Sequence, residues 1–153
     1  MPVHAEKKVL KFRPEQIFEM VSDVERYPDF LPWCVGARIK RREDTRIFAD
    51  LIIGFKMIRE KFTSRVDLHP EQLRIDVAYV DGPFKYLTNT WIFEEHSEGC
   101  LIDFHVDFEF KSRMLQILIE PLFHEAVKRM VQAFETRAAV LYEPYSGPGA
   151  ATA

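Results

Sequence analysis

The chain has 153 residues, a formal net charge of −3 at pH 7 and an isoelectric point near 6.0. This length fits one domain with one hydrophobic core, and the acidic balance excludes a nucleic-acid binder that depends on bulk positive charge. The 13 Phe, against 2 Trp and 5 Tyr, are typical of either a well-filled core or an apolar pocket, because Phe offers large apolar area without a polar group.

The N-terminal third predicts one strand and two short helical segments. Residues 3–12 alternate loosely between apolar and polar types, and Pro14 suits the first turn of a helix, where its missing N–H costs nothing. The apolar stripe of that helix consists of Ile17, Phe18, Val21 and Val24. The sequence YPDFLPW at 27–33 has two prolines, so we predict one irregular helical turn followed by an extended exit.

From Val35 to Phe110 the apolar residues recur every second position, which predicts six further strands with hairpin-length turns. Turns are predicted near Gly54, at Asp81-Gly82-Pro83 and at Ser97-Glu98-Gly99. The most regular strand is 101–110, whose apolar side carries Ile102, Phe104, Val106, Phe108 and Phe110. Its other side carries Asp103, His105, Asp107 and Glu109. Such alternation is typical of an antiparallel sheet with one dry face and one wet face.

The acidic side chains of that strand are predicted to be a solvated face rather than an acid–base site. Paired carboxylates can perform acid–base chemistry, but their parity places Asp103, Asp107 and Glu109 on the wet side. If the two strands are neighbours, we expect these carboxylates to pair with Arg59, Lys61 and Arg65, a modest stabilisation.

The remainder of the chain predicts a long amphipathic helix. A wide apolar stripe runs from Leu115 to Leu141 over about seven turns, and Pro121 is expected to kink or break it, at about 3 kcal/mol in a helix interior. The sequence SGPGAATA from Ser146 is rich in small residues and helix breakers, so we predict a folded domain over 1–145 and a disordered tail over 146–153.

The order of these elements predicts an α+β helix-grip fold. A curved antiparallel sheet of about seven strands must have its dry face covered, and the C-terminal helix is the element large enough to cover it. No signal peptide is expected from the charged N-terminal residues, and no apolar run reaches about 18 residues. Cys34 and Cys100 show no metal-like or redox spacing, so buried free thiols in a cytoplasmic protein are expected.

The dry face carries three polar residues that a purely structural core does not need. Glu60 lies between Ile58 and Phe62 on the inward parity, and a buried carboxylate is costly without a partner; the alternative is a strand-end Glu that reaches water, or a local bulge. Asn89 and Tyr79 share the inward parity of their strands. As donors they suit a ligand with carbonyl acceptors, and Glu60 assists if it is protonated or acts through water.

Aromatic residues from the early helical turn, the strands and one turn are expected to converge between sheet and helix. Each one alone is better explained by ordinary core packing, and only the group as a whole indicates a pocket. The aromatic set is Phe30, Trp33, Phe84, Trp91, Phe104 and Phe108. The aliphatic and remaining residues of the predicted ligand wall are Leu51, Phe62, Leu87, Leu118, Leu122 and Met130.

Four stretches carry a resemblance to a known family: FEMVSDVERYPDFLPWC at 18–34, REKFTSRV at 59–66, GPFKYLTNTWIF at 82–93 and VDFEFKSRMLQ at 106–116. The chain resembles the START-like superfamily of polyketide cyclase/dehydrase and lipid-transport type, and within it the subfamily of coenzyme-Q-binding proteins and the ribosome-association toxin. Pro121 departs from the family pattern. The resemblance implies a non-enzymatic chaperone that binds ubiquinone in an internal cavity and supports respiration.

The same resemblance implies an alternative function, an inhibitor of ribosome association that binds the large ribosomal subunit. The acidic isoelectric point argues against it, whereas the basic residues Arg38 and 40–42 leave it open. No catalytic motif occurs, and the five histidines show no metal-ligand spacing, so we predict no enzyme activity, no cofactor, no metal and no DNA partner. The segment 81–86 combines a breaker, exposed aromatics and a lysine; it is predicted either as a transient contact to the inner-membrane surface or as an ordinary hairpin turn.

Overall fold

A computed structural model describes residues 3–55 and 58–144 of the chain. The predicted tail over 146–153 lies outside the described residues. In chain order the elements are β1 (Val3–Leu10), α1 (Pro14–Ser22), a first 3₁₀ helix (Val24–Asp29), β2 (Cys34–Glu43), β3 (Arg46–Phe55), β4 (Ile58–His69), β5 (Arg74–Asp81), β6 (Phe84–His96), β7 (Gly99–Phe110), α2 (Arg113–Ile119), a second 3₁₀ helix (Glu120–Leu122) and α3 (Phe123–Leu141).

The strands form one antiparallel sheet in the order β1-β7-β6-β5-β4-β3-β2. Strands β2 to β7 are therefore a continuous meander, and β1 joins the free side of β7. Helix α1 and the first 3₁₀ helix connect β1 to β2 at opposite edges of the sheet, and α3 packs against the inner face. This is the helix-grip arrangement that the sequence predicts.

On β3 and β7 the alternation correctly predicts which side chains face inward, whereas on β2 Val35 is 46% exposed because a bulge lies between Cys34 and Gly36. On β7 the side chains of Ile102, Phe104, Val106 and Phe108 are buried, and on β3 Ile47 and Ala49 are buried as well. Cys34 and Cys100 are buried free thiols, as predicted. Among the described residues, no helix is long and apolar enough to cross a membrane.

The predicted charge pairing between β4 and β7 is wrong. Strands β5 and β6 lie between them, so the acidic side chains of β7 pair with their own neighbours. Asp103 Oδ2 lies 4.0 Å from Lys7 Nζ on β1, and Glu109 Oε2 lies 2.8 Å from Lys85 Nζ on β6.

The basic side chains of β4 also find partners close by. Lys61 Nζ lies 3.8 Å from Asp50 Oδ2 on β3, and Arg65 Nε lies 3.2 Å from Asp67 Oδ2 on its own strand. These acidic side chains of β7 and basic side chains of β4 thus each have an oppositely charged neighbour. This fits a solvated outer face rather than a catalytic one.

The segment predicted as an exposed loop over 81–86 is mostly strand. Strand β6 begins at Phe84, which pairs with Phe110 and is buried, not exposed. A bulge between Phe84 and Tyr86 accounts for the difference, because it interrupts the simple alternation that leads up to Leu87. With Phe84 buried and Tyr86 half-buried, neither aromatic side chain of this segment forms the exposed tip that was expected for a membrane contact.

The long helix is interrupted at Pro121, as predicted, and the two parts differ in burial. Helix α3 buries Val127, Met130, Val131, Phe134 and Ala138 against the sheet. Helix α2 has no buried residue. The apolar stripe continues across the break in sequence, but α2 does not bury its part of the stripe.

Gly99 at the start of β7 is required by its backbone. Its φ is +141°, and a Cβ there would lie 2.3 Å from the carbonyl oxygen of Leu10 and 2.8 Å from the backbone of Phe12. We expect Gly99→Ala to lower the free energy of unfolding by about 1–3 kcal/mol, because an L side chain rarely adopts this conformation. Urea denaturation measures it; an unchanged midpoint would contradict the assignment.

Candidate functional site

The sheet and α3 enclose a cavity of about 260 Å³. Its walls come from the inner faces of β3 to β7, the first 3₁₀ helix with the exit segment after it, and the side of α3 that faces the sheet. The lining is almost entirely apolar. The polar side chains among the described lining residues are those of Tyr27, Trp33, Glu60, Ser64, Asn89 and Trp91.

Most of the predicted ligand-binding residues line this cavity. The structure places twelve of them in its wall: Trp33, Leu51, Glu60, Phe62, Phe84, Leu87, Asn89, Trp91, Phe104, Phe108, Leu122 and Met130. That these side chains contact a ligand stays a prediction. The structure shows that they meet in one chamber.

Three predicted residues lie outside the cavity wall. Phe30 packs edge-on against Phe134 at 5.1 Å between ring centroids and lines a separate, smaller pocket. Tyr79 accepts a hydrogen bond from the Phe84 N–H at 3.2 Å, and the ring of Phe84, which does line the cavity, packs against it. Leu118 lies on α2 and is 52% exposed. Tyr79 has the predicted inward parity and Leu118 the predicted apolar period, so these patterns alone do not separate them from the residues of the wall.

Asn89 is held in place by two hydrogen bonds. Its Nδ2 donates to the carbonyl of His105 at 2.9 Å, and its Oδ1 accepts from Nε1 of Trp91 at 3.0 Å. A primary amide has two N–H donors, so one remains for a ligand. The network also fixes the orientation of the Trp91 ring in the wall.

Two further polar groups in the wall have no hydrogen-bond partner among the described residues. The Nε1–H of Trp33 is buried without a hydrogen-bond partner, and Glu60 makes no hydrogen bond or ion pair with any described residue. A buried donor such as the Trp33 N–H is normally satisfied in native proteins, whereas Glu60 is half-buried. Both groups are therefore available to a bound molecule.

Ser64 was missed by the sequence reasoning. It lies on β4 between Phe62 and Val66, lines the cavity and is 1% exposed. Its parity within REKFTSRV was visible, but a serine among larger side chains gives no signal of its own. Ile119 and Phe123, at the junction of α2 and α3, also line the cavity and were missed too.

The phenol of Tyr27 and the two thiols of the chain are held neutral. Burial raises the pKa of Tyr27, whose hydroxyl donates to the carbonyl of Val21. Burial also raises the pKa of Cys34 and, with nearby carboxylates, raises that of Cys100 to about 12. Neither thiol is therefore an activated nucleophile at neutral pH. Among the described residues, no cluster of three or more His, Cys, Asp or Glu could hold a metal ion.

A histidine pair joins β1 to the first turn of α3, next to cavity-lining Phe123. His4 Nδ1 lies 2.5 Å from His124 Nδ1, and His4 Nε2 lies 3.7 Å from Glu6 Oε2. In a hydrogen bond between these two nitrogens one must be the acceptor, so at least one of the two imidazole rings is neutral. Burial and the charge of His124 lower the pKa of His4 below 6.5; Glu6 opposes this and Lys128 adds to it.

We therefore expect stability to fall in mild acid. Because the folded-state pKa of His4 is depressed, its contribution is complete above about pH 6.5 and is lost as the pH falls through the lowered value. Thermal unfolding between pH 8 and pH 5 measures this in wild type and in His4→Gln, which should flatten the profile. The control is exposed His105→Gln; an equal slope in His4→Gln and wild type would contradict the account.

The chain shares sequence and structure with known proteins over nearly its whole length. The family described as "Polyketide cyclase / dehydrase and lipid transport" matches residues 10–135. Ribosome association toxin RatA of Rickettsia prowazekii is 38% identical over 134 residues, which cover 86% of this chain and 92% of that protein. The mitochondrial coenzyme Q-binding protein COQ10 homolog B of Xenopus laevis is 35% identical and covers 98% of this chain, which spans 63% of that protein. The solution structure of an 18 kDa protein from Caulobacter crescentus is 36% identical with a TM-score of 0.77, covering 92% of this chain and 98% of that one.

Proposed function

Since the chain belongs to the polyketide cyclase / dehydrase and lipid transport family, we propose that it binds a ubiquinone-like lipid in its cavity and chaperones that lipid in support of respiratory electron transport. The observation that carries the proposal is the cavity itself, apolar on nearly all sides with a few separated polar groups. Such a lining is typical of sites for largely apolar small molecules.

The size of the cavity limits what it encloses. Its volume of about 260 Å³ is slightly below the range of about 300–1,000 Å³ usual for small-molecule sites. A quinone ring and the first part of its chain suit this space, whereas a long isoprenoid tail must extend beyond it. Apolar contact stabilises the enclosed part by roughly 25 cal/mol per Å² removed from water.

The polar groups in the wall suit a quinone head group in either redox state. The Trp33 Nε1–H and the second N–H of Asn89 are donors for quinone carbonyl oxygens, and the Ser64 hydroxyl can donate or accept. Glu60, when ionised, accepts hydrogen bonds only, so it suits the hydroxyl of the reduced quinol. The Xenopus laevis relative, which is named as a coenzyme Q-binding protein, supports a quinone as the ligand.

We propose binding without catalysis. The described lining residues include no His, Cys, Lys or Arg, and Glu60 is their one carboxylate. Glu60 and Ser64 lie four residues apart on one strand, which is about 13 Å of extended chain. A nucleophile and its base must be within hydrogen-bond distance, so these two do not form a hydrolytic pair.

The proposal is tested by the protein's own fluorescence. Trp33 and Trp91 are the two tryptophans of the chain, and both line the cavity. We expect titration with a short-chain ubiquinone to quench the emission of both in a saturable, equimolar way, because the quinone ring is an electron acceptor in contact with them. The same titration of free N-acetyl-tryptophanamide corrects for absorption. Quenching that matches this free control would refute the proposal.

Substitution of Glu60 tests the role of the polar groups in the cavity wall. We expect Glu60→Ala to raise the Kd for the quinol about 2–10-fold, the worth of one net hydrogen bond, and to change the Kd for the quinone less. Because Glu60 has no protein partner among the described residues, stability should be unaffected. The control is the exposed Glu95→Ala, and the quinol is measured by displacement of quenching quinone. Equal quinol affinity in wild type and Glu60→Ala would contradict this role.

Ribosome binding is the second candidate function, favoured by the relatives named ribosome association toxin and by the edge strand β2. Its Lys40 and Arg42 are exposed and form no ion pair with described residues, whereas Arg38 and Arg41 lie near Asp50 and Glu43 at 3.6 and 2.9 Å. Ribosome gradient profiles after overexpression discriminate the two candidates. This function would be favoured if overexpression of wild type removed joined ribosomes and overexpression of Lys40→Glu/Arg42→Glu did not.

A further inference from the structure

Helix α2 and the 3₁₀ turn after it expose apolar side chains that no described element covers. The exposed fractions are 72% for Met114, 65% for Ile117, 52% for Leu118 and 40% for Leu122. Their spacing of three, one and four residues places them on one face of a helical segment. We call these four residues the α2 stripe. A contiguous exposed apolar patch marks an interaction surface, unlike single exposed apolar residues.

The α2 stripe is continuous with the cavity. Leu122 belongs to both, and the neighbouring Ile119 and Phe123 line the cavity from the same segment. An apolar ligand that leaves the cavity along this segment therefore stays in contact with apolar side chains. This continuity gives the stripe a connection to the ligand that the scattered exposed residues Val3, Val35 and Val140 lack.

Unpaired positive charge stands at the beginning of the stripe. Lys111 and Arg113 are exposed and make no ion pair with any described residue. The Lys111 N–H donates to the carbonyl of Pro83 at 2.8 Å, which fixes this end of the segment. Glu120 is the one carboxylate within residues 111–122 and accepts a hydrogen bond from Gln116 at 3.2 Å.

We propose that the α2 stripe docks on the surface of an anionic phospholipid bilayer and places the cavity beside the lipid. Apolar side chains next to basic ones are the composition of segments that lie in the headgroup region of such membranes. A second copy of the chain is a poorer occupant, because four side chains fall well short of the roughly 800 Å² per partner that a stable dimer buries. The inference rests on the proposed function, since only a lipid ligand needs a dry path.

Vesicle flotation tests the docking surface. Wild type, Ile117→Glu and Val140→Glu are mixed with vesicles of phosphatidylcholine alone or with added phosphatidylglycerol. Val140 is the matched control, because it is 73% exposed on α3 and lies outside the stripe. We expect wild type and Val140→Glu to float with the anionic vesicles, and the partition of Ile117→Glu to be at least roughly tenfold lower. Lys111→Ser/Arg113→Ser should lose binding to anionic vesicles selectively.

The outcomes separate docking from ligand binding. Ile117 does not line the cavity, so Ile117→Glu should keep the wild-type Kd for short-chain ubiquinone. Wild type that never floats, or Ile117→Glu that floats equally, overturns the docking surface whatever the quinone titration gives. A wild-type dimer that Ile117→Glu converts to a monomer in light scattering also overturns it, in favour of a second copy. Docking without quinone binding would refute the proposed function and leave the docking surface standing.

Discussion

Replacement of Phe134 by alanine is expected to lower the free energy of unfolding by about 3–5 kcal/mol, the range for removing a buried aromatic side chain. Phe134 is 1% exposed on α3. Its ring makes edge-on contacts with Tyr27 at 5.5 Å, Phe30 at 5.1 Å and Trp91 at 5.4 Å between centroids. It thus joins the helix, the first 3₁₀ helix and the sheet at one point.

Urea denaturation followed by circular dichroism measures this loss. The control is Val140→Ala on the same helix, where an exposed side chain should change stability by no more than about 0.5 kcal/mol. A loss below about 1 kcal/mol for Phe134→Ala would mean that the site collapses around the smaller residue. In that case α3 would not be fixed on the sheet by this cluster.

Replacement of Ser64 by phenylalanine is expected to exclude the ligand while the fold is kept. Ser64 is the smallest inward side chain on its part of β4, and its neighbours Ala49 and Tyr79 on the adjacent strands fix its register. An added ring occupies the space in which a quinone ring would lie. Excluding about 100 Å² of ligand surface corresponds to roughly 2.5 kcal/mol, or roughly 70-fold in Kd.

The matched control for this variant is Thr88→Phe, the same kind of enlargement at an exposed position of β6. Quinone quenching of Trp33 and Trp91 should be unchanged in Thr88→Phe and shifted to far higher concentration in Ser64→Phe. Cooperative unfolding of Ser64→Phe verifies that it is folded. If folded Ser64→Phe bound the quinone with the wild-type Kd, the ligand would lie elsewhere.

Inward and outward faces of the strands were predictable because the sheet has one dry side. On β7 every second residue from Ile102 is apolar, and a register error of one residue would place that whole set in water. The same alternation predicts that Glu60 and Asn89 face inward, and both line the cavity. Which of their hydrogen-bonding groups are engaged was not predictable, because this depends on contacts such as that of Asn89 with the carbonyl of His105 on another strand.

The neighbours of each strand could not be obtained from alternation. Arg65 and Asp107 carry complementary charges, but their strands are separated by two others in the sheet. Helical periodicity has a similar limit. The apolar period of Leu118 is the same as that of Met130, yet one is exposed and the other is buried, because α3 buries its apolar side chains and α2 buries none. A pattern predicts an apolar face without showing what covers it.

The central claim is that the cavity holds an apolar lipid, and extraction of the purified protein tests it most directly. Wild type and Ser64→Phe are purified without detergent from cells that contain ubiquinone, extracted with organic solvent and analysed by mass spectrometry. The account predicts a polyprenyl quinone in the wild-type extract and at least about tenfold less from folded Ser64→Phe, given the loss of affinity estimated above. A wild-type extract without quinone, or equal amounts from both proteins, would contradict it.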